Sequence, residues 1–98
     1  MNSRKYKVAW LRLALSDLEE LAAHIGNDDP EAGAHIAEQV WQASQSLARA
    51  PNRARPGRVP GTRELILPNL RFFIVFRVRD DSVQILRILH SARKYPPA

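Results

Sequence analysis

The sequence of 98 residues contains no cysteine, so disulfide bonds and thiol chemistry are excluded. Its four glycines are scattered, which leaves no glycine-rich loop for binding phosphate. The longest apolar run is Phe72–Phe76, whereas a membrane-spanning helix needs roughly 20 apolar residues. The N-terminal residues also lack an apolar stretch of signal-peptide length. These absences predict one soluble, cytoplasmic domain covering residues 1–98.

Acidic side chains are scarce in the second half of the chain. Residues 49–98 contain eleven Lys or Arg and three Asp or Glu, whereas residues 1–48 contain four and seven. Arginine, which supplies most of the basic charge, carries a planar, permanently charged fork that suits phosphate and carboxylate. The basic half therefore predicts an acidic partner, either nucleic acid or an acidic protein segment. A solvated basic surface without a specific ligand is the alternative.

The first half predicts one strand followed by two helices. Lys5–Trp10 alternates polar and apolar residues, as a half-buried strand does. Apolar residues then recur at helical spacing over Leu11–Ile25, and Gly26 is a suitable C-cap. Asp29-Pro30-Glu31 predicts the start of a second helix that ends near Ala50. A connection of three or four residues would make the two helices an antiparallel hairpin.

The second half predicts a basic loop and three strands. The loop, Pro51–Gly61, is rich in proline and arginine. Strands follow at Thr62–Leu67, Arg71–Arg79 and Ser82–His90, and without helices between them they should pair antiparallel. The predicted fold is α+β, in the order β-α-α-β-β-β, with a two-helix hairpin packed on one face of an antiparallel sheet.

A two-residue loop at Asp80-Asp81 would set the register of the last two strands. One face would then be almost entirely apolar and lie under the helices: Phe72, Ile74, Phe76, Val78, Val83, Ile85, Arg87 and Leu89. The other face would place Arg71 opposite His90 and Arg77 opposite Gln84. This second face could be a concave basic surface for phosphate or an acidic peptide, or simply a solvated sheet face.

Metal chemistry has little support, because His24, His35 and His90 lie on three different predicted elements. We expect no metal and no cofactor. Acid–base cleavage of RNA is the enzymatic candidate, with His90 as acid or base and Arg71 or Arg77 stabilising the phosphorane charge. Alternatively, His90 closes its strand with local hydrogen bonds.

Several motifs resemble the toxins of the RelE/ParE superfamily, the poisoning half of bacterial toxin–antitoxin modules. The most specific of them are Gly61-x-Arg63-Glu64, Pro68-Asn69, Val75-Phe76-Arg77-Val78 and Leu89-His90-x-x-Arg93-x-x-Pro96. They are similar to the ParE-type, plasmid-stabilisation branch. In the mRNA-cleaving branch the third strand commonly opens Arg-Leu-Val-Tyr with a catalytic arginine, and here Phe73 takes that place.

The resemblance implies a toxin that a cognate antitoxin neutralises, through an acidic or amphipathic segment that wraps around it. It also implies DNA gyrase as the target. The residues that the resemblance and the basic surface together suggest for target binding are Arg58, Arg63, Arg71, Arg77, His90, Arg93 and Tyr95. Two alternatives stay open: a ribosome-dependent mRNA endoribonuclease, and a non-toxic domain that binds nucleic acid or protein.

Overall fold

The computed structural model describes residues 5–96, so residues 1–4 and 97–98 of the predicted domain lie outside the described part. Two helices cover one face of a five-stranded sheet, which confirms the predicted α+β class. In chain order the elements are β1 (Lys7–Trp10), α1 (Arg12–Asp28), α2 (Pro30–Ser46), a 3-10 helix (Pro51–Arg53), β2 (Arg55–Pro56), β3 (Arg63–Leu67), β4 (Phe72–Arg79) and β5 (Ser82–His90). In the described part, neither α-helix is long and apolar enough to cross a membrane.

The sheet has the strand order β1-β5-β4-β3-β2. Strands β3, β4 and β5 pair antiparallel as predicted, and β2 pairs antiparallel with β3. Strand β1 lies parallel to β5, however, so the sheet is mixed rather than antiparallel. The residue before β1 is tied to the end of the helical hairpin: the carbonyl of Ala48, just after α2, accepts a hydrogen bond from the amide of Tyr6 at 2.7 Å. The two-residue strand β2, which was not predicted, lies within the basic loop (residues 51–61).

The turn between the helices is shorter than predicted. Helix α1 continues through Gly26, and Asp29 alone connects it to α2. The carboxylate of Asp29 accepts a hydrogen bond from the amide of Ala32 at 3.2 Å, as its predicted N-cap role requires. Gly26 is therefore not a C-cap. A Cβ added at Gly33 would lie 2.8 Å from the Cα of Gly26, so the absence of a side chain at Gly33 permits the close approach of the helices. Helix α2 itself ends at Ser46 rather than near Ala50.

The main core lies between the helices and the sheet. Ala14, Val40, Ile74 and Phe76 are all completely buried there. Trp10 stacks on Trp41 with ring centroids 5.4 Å apart, and its indole Nε1 donates a hydrogen bond to Ser44 Oγ at 3.1 Å. The two tryptophans therefore pack β1 of the sheet against α2.

A bulge in β5 changes the predicted faces. The hairpin starts as expected, with Arg79 opposite Ser82 and Arg77 opposite Gln84. Val75 then pairs with Arg87 and Phe76 with Ile85, which leaves Leu86 as an extra residue.

An extra residue inverts the alternation of every side chain beyond it. Ile88 therefore joins the main core and Leu89 lies on the opposite face, the reverse of the prediction. The predicted pairing of Arg71 with His90 is also wrong, since His90 lies opposite Phe72.

Candidate functional site

The sheet face that points away from the helices, here called the open face, carries a second apolar cluster. Phe73, Val75 and Leu89 form it and are at most 2 % exposed, although neither α1 nor α2 covers them. Leu86 and Tyr95 pack against them. The open face is thus not a solvated surface, and its centre is covered by the basic loop and the C-terminal tail (residues 91–96).

Arg58 and Tyr95 close over the ring of Phe73. The guanidinium carbon of Arg58 lies 4.9 Å from the ring centroid, a cation–π geometry, and the Tyr95 ring meets Phe73 edge-on at 6.0 Å. Arg58 Nη1 also donates to the Tyr95 carbonyl at 3.3 Å. Two predicted target-binding residues therefore share one aromatic platform, which we call the Arg58–Tyr95 cluster.

The buried carboxylate of Glu64 on β3 holds the basic loop against the sheet. Its carboxylate, in a residue 1 % exposed, accepts hydrogen bonds from Arg55 Nη2 at 2.8 Å and the Arg58 amide at 2.9 Å. Arg58 Nε lies 3.4 Å from the same carboxylate. Burial alone would raise the pKa of Glu64, but the Arg58 amide and the Arg55 guanidinium outweigh burial and hold the pKa below its ordinary value. Glu64 is therefore a buried anion that fixes the position of Arg58.

A groove of about 750 Å³ crosses the open face between the start of α1 and the basic loop. Its polar rim consists mainly of four arginines: Arg12, Arg77, Arg79 and Arg87. Its apolar lining consists of Leu11, Leu13, Val59, Pro60 and Leu86. Among the described residues that line it, none is Asp or Glu. We call it the arginine groove.

Two of these arginines are held by neighbours. Arg77 Nε donates to Gln84 Oε1 at 2.6 Å, and Arg87 makes a two-pronged contact with Asp17 through Nε at 2.7 Å and Nη2 at 3.0 Å. Asp17 raises the pKa of Arg87 by accepting these hydrogen bonds. Arg12 and Arg79 are exposed and have no ion-pair partner within residues 5–96.

His90 lies in a different cavity, of about 480 Å³, on the helix side. Asp17, Glu20, His24 and Arg93 are among the residues that line this cavity.

The contacts of His90 are local. Its Nδ1 accepts a hydrogen bond from the Ala92 amide at 3.0 Å, and its ring meets Phe72 edge-on at 5.3 Å. These contacts favour the strand-closing interpretation of His90, and they separate it from Arg77, which lines the arginine groove.

The remaining residues predicted for target binding, Arg63 and Arg71, lie apart from these sites. Arg63 donates through Nη1 to the Ala54 carbonyl at 2.9 Å, so it braces the basic loop. Arg71 is exposed in the turn before β4 with φ of 60°, and its carbonyl accepts from the Ser91 amide at 2.9 Å. Of the residues suggested for target binding, the structure brings together Arg58, Arg77 and Tyr95 on the open face, and His90 with Arg93 in the second cavity.

Arg12, Arg79 and Asp17 are the residues that sequence reasoning did not place in a site. Asp17 belongs to the helical motif Ala14-x-x-Asp17-Leu18-x-x-Leu21, but nothing local indicates that its carboxylate also accepts from the Ile88 amide at 2.9 Å. That amide lies on the part of β5 beyond the end of β1, where the edge of β5 pairs with no other strand within residues 5–96. The contact therefore depends on long-range packing.

The described residues contain no group of three His, Cys, Asp or Glu side chains placed to hold a metal ion. The expectation that the protein needs no cofactor stays a prediction.

Sequence comparison gives matches along almost the whole chain. The family model described as "ParE toxin of type II toxin-antitoxin system, parDE" matches residues 8–95. A protein of Sinorhizobium fredii named "Putative toxin Y4kP" is 38% identical over 94 residues, which cover 96% of each chain. "Toxin RelE2" of Caulobacter vibrioides is 33% identical and covers 89% of this chain and 97% of its own length.

Solved structures agree with these matches. The chromosomal ParDE system from P. aeruginosa contains a chain that superposes with a TM-score of 0.83 and 31% identity, covering 90% of this chain and 98% of that one. The RelBE2 complex of Mycobacterium tuberculosis gives a TM-score of 0.62 at 26% identity, covering 88% and 98%. The E. coli RelBE complex, at 16% identity and a TM-score of 0.66, shares the fold and covers 91% and 99%. Together with the family match, these likenesses show that the chain belongs to the ParE toxin family, within the RelE/ParE superfamily of type II toxin–antitoxin toxins.

Proposed function

We propose that this toxin is neutralised by a cognate antitoxin and blocks replication in the cytoplasm by binding DNA gyrase, without cleaving RNA. Similarity to a chain of a ParDE system, at a TM-score of 0.83 and 31% identity, supports the ParE-type activity. The three solved structures compared above come from toxin–antitoxin systems, which supports the antitoxin as partner.

The observation that carries the non-enzymatic proposal is the separation of the candidate catalytic groups. Cleavage of RNA needs an acid or base and a cation that converge on one phosphate. Here His90 lines the helix-side cavity, Arg77 lines the arginine groove, and Arg71 lies in a turn outside both. The centre of the open face is the buried ring of Phe73, which offers no charge.

The Arg58–Tyr95 cluster supports recognition of a protein target. Aromatic and arginine side chains that are held rigid are the commonest energetic anchors of protein interfaces. The Arg58 guanidinium contacts Glu64 and Phe73, and the Phe73 ring contacts Tyr95, so both side chains already have contacts within the free toxin. Little conformational entropy would then be lost on binding.

The test is induced expression of the full chain in bacteria, with pulse labelling of DNA and protein synthesis, followed by a supercoiling assay with purified gyrase. We expect DNA synthesis to stop first and the cells to form filaments. Replacing Arg58 and Tyr95 with alanine should weaken inhibition of gyrase roughly tenfold or more. The matched control His90→Ala should keep inhibition within about twofold. Circular dichroism of each variant checks that it is folded.

An mRNA endoribonuclease is the second candidate, favoured by the 33% identity to Toxin RelE2 and by the presence of His90 and Arg93 in one cavity. An early stop in translation with cut mRNA, abolished by His90→Ala, would establish this activity and refute the gyrase proposal. Absence of any growth defect would instead support a non-toxic binding domain.

A further inference from the structure

The arginine groove is a compact cleft whose charges all have one sign. Four guanidinium groups line it, and no carboxylate does so among the described residues. Arg12 and Arg79 are exposed and have no ion-pair partner within residues 5–96. Groove walls of low dielectric concentrate the field of such charges. The groove therefore attracts a ligand that carries several negative charges.

The positions of three arginines suit a ligand whose charges are grouped together. Arg77 and Arg79 lie two residues apart on the same side of β4, about 7 Å along the strand. Arg12 follows the end of β1, which β5 alone separates from β4. Arg77 uses Nε for its hydrogen bond to Gln84, and within residues 5–96 its two terminal nitrogens are left for a ligand. One compact anion can thus contact all three guanidinium groups.

The first turn of α1 adds positive potential to the same groove. Leu11, Arg12 and Leu13 line it, and α1 begins without a side-chain cap and without an acidic residue in its first turn. The first backbone N–H groups of a helix have no partner inside the helix and favour anions such as phosphate. The sequence has no glycine-rich phosphate loop, so here arginines and helix amides would bind the phosphates.

The remainder of the lining is apolar or aromatic. Leu13 is 60% exposed, and Leu86, Val59, Pro60 and the Tyr95 ring continue this surface. A bare phosphate chain would leave these side chains in contact with water, whereas a planar base packs on aromatic and apolar side chains. The groove volume of about 750 Å³ lies within the roughly 300–1,000 Å³ of typical small-molecule pockets. The lining thus suits a small ligand with a phosphate end and a base.

We propose that the arginine groove binds a nucleoside polyphosphate. Arg12, Arg77 and Arg79 pair with the phosphates. The base packs on Leu13 and Tyr95. This inference goes beyond the proposed function and does not depend on it, because binding is measured on the isolated toxin without gyrase or antitoxin.

The first measurement is isothermal titration calorimetry of the full-length toxin with ATP, in buffer without divalent cations. We expect a Kd of about 1–100 µM. Sodium triphosphate and adenosine each satisfy one half of the site and should bind at least about tenfold more weakly. Absence of ATP binding at about 1 mM, or equal affinity for triphosphate and ATP, would overturn the proposal.

Charge reversal at the two unpaired arginines tests the phosphate end. The double variant Arg12→Glu/Arg79→Glu should weaken ATP binding about 30-fold or more. The control Lys5→Glu/Arg49→Glu makes the same change in net charge at exposed positions that do not line the groove, and should change affinity less than about threefold. Circular dichroism checks that both variants are folded. An equal loss in the two variants would show that ATP responds to net charge alone, and the site would be refuted.

Leu13→Ala tests the base end without altering charge. Because Leu13 is largely exposed, its truncation should leave the fold intact. It should weaken ATP binding roughly threefold or more and leave triphosphate binding unchanged. Unchanged ATP affinity, or an equal loss for both ligands, would refute the contact between Leu13 and the base.

Nuclear magnetic resonance locates the ligand on the chain. When the ¹⁵N-labelled toxin is titrated with ATP, the largest amide shifts should come from Arg12, Leu13 and Arg79. Shifts centred on His90 and Arg93 would place ATP in the helix-side cavity and overturn the assignment.

Fluorescence anisotropy with a labelled single-stranded RNA and a labelled DNA duplex covers nucleic acid as the alternative occupant. We expect ATP to displace neither probe. A probe that binds more tightly than ATP, is displaced by ATP and is lost in the Arg12/Arg79 variant would make the groove a nucleic-acid site and refute the proposal.

Discussion

Replacing Glu64 with glutamine tests whether one buried carboxylate holds the basic loop against the sheet. The change keeps the size of the side chain and removes its charge. It affects the contacts to Arg55 Nη2 at 2.8 Å and to the Arg58 amide at 2.9 Å. Because Arg58 also covers Phe73, the loss should extend from the loop to the C-terminal tail.

The expected magnitude follows from the burial of each partner. Hydrogen bonds to a charged group contribute about 1.5–3 kcal/mol each. The side chains of Arg55 and Arg58 are 49% and 41% exposed, so they regain water when the carboxylate is lost, and the desolvation cost of the buried anion disappears as well. We expect a net loss of about 2–3 kcal/mol in the free energy of unfolding, or roughly 10–20 °C in Tm for a domain of this size.

The loss should depend on pH in a defined direction. The pKa of Glu64 is lower in the folded protein than its usual value of 4.5. Its contribution to stability is therefore complete above the unfolded pKa and disappears as the pH falls through the folded pKa. Wild type and Glu64→Gln should thus differ most near pH 7 and converge in acid.

Thermal and urea unfolding followed by circular dichroism, from pH 7 down to pH 3, measure the loss of stability and its dependence on pH. The control is Glu38→Gln, which alters an exposed side chain that accepts a hydrogen bond from Gln42 and should cost less than about 0.5 kcal/mol. If Glu64→Gln lies within 0.5 kcal/mol of wild type at pH 7, or if the difference is constant with pH, the anchoring role of Glu64 is wrong.

Three other variants test the packing of the helices in urea unfolding experiments. Gly33→Ala should destabilise the fold by about 1–3 kcal/mol, because its Cβ would lie 2.6 Å from the Ala22 carbonyl oxygen. Gly26→Ala should be neutral or stabilise the fold by up to about 1 kcal/mol, since a Cβ there meets nothing within 4 Å. If Gly26→Ala destabilises the fold as much as Gly33→Ala, the explanation by close helix contact at Gly33 is wrong. Asp17→Asn should cost about 1–3 kcal/mol through the lost charge-assisted contacts to Arg87, and a loss below 0.5 kcal/mol would show that solvent replaces them.

Elements specified by short-range chemistry could be predicted from the sequence. Asp80-Asp81 forms the expected two-residue turn, in which Asp80 takes a left-handed φ of 56° that aspartate tolerates. Strand β5 has the predicted bounds, Ser82–His90. Asp29-Pro30 starts the second helix as predicted, because the N-cap aspartate and the proline both act on the backbone next to them.

The faces of β5 could not be predicted beyond its bulge. The bulge leaves Leu86 unpaired and places both Ile85 and Ile88 in the main core, which no local pattern in the sequence records. A single extra residue then reversed the predicted positions of Leu89 and His90. The parallel pairing of β1 with β5 was likewise not predicted, because it joins residues far apart in the sequence.

The sequence alone determines the order of the elements, the family resemblance and the excess of arginine in residues 49–98, because periodicity, turn chemistry and composition are properties of neighbouring residues. The sequence alone does not determine which charged side chains come together in one site. Arg12 and Arg79 are far apart in the sequence and line one groove, and Glu64 became a buried anchor because the basic loop folded over it. Such sites arise from contacts between distant segments, so the folded structure was needed to find them.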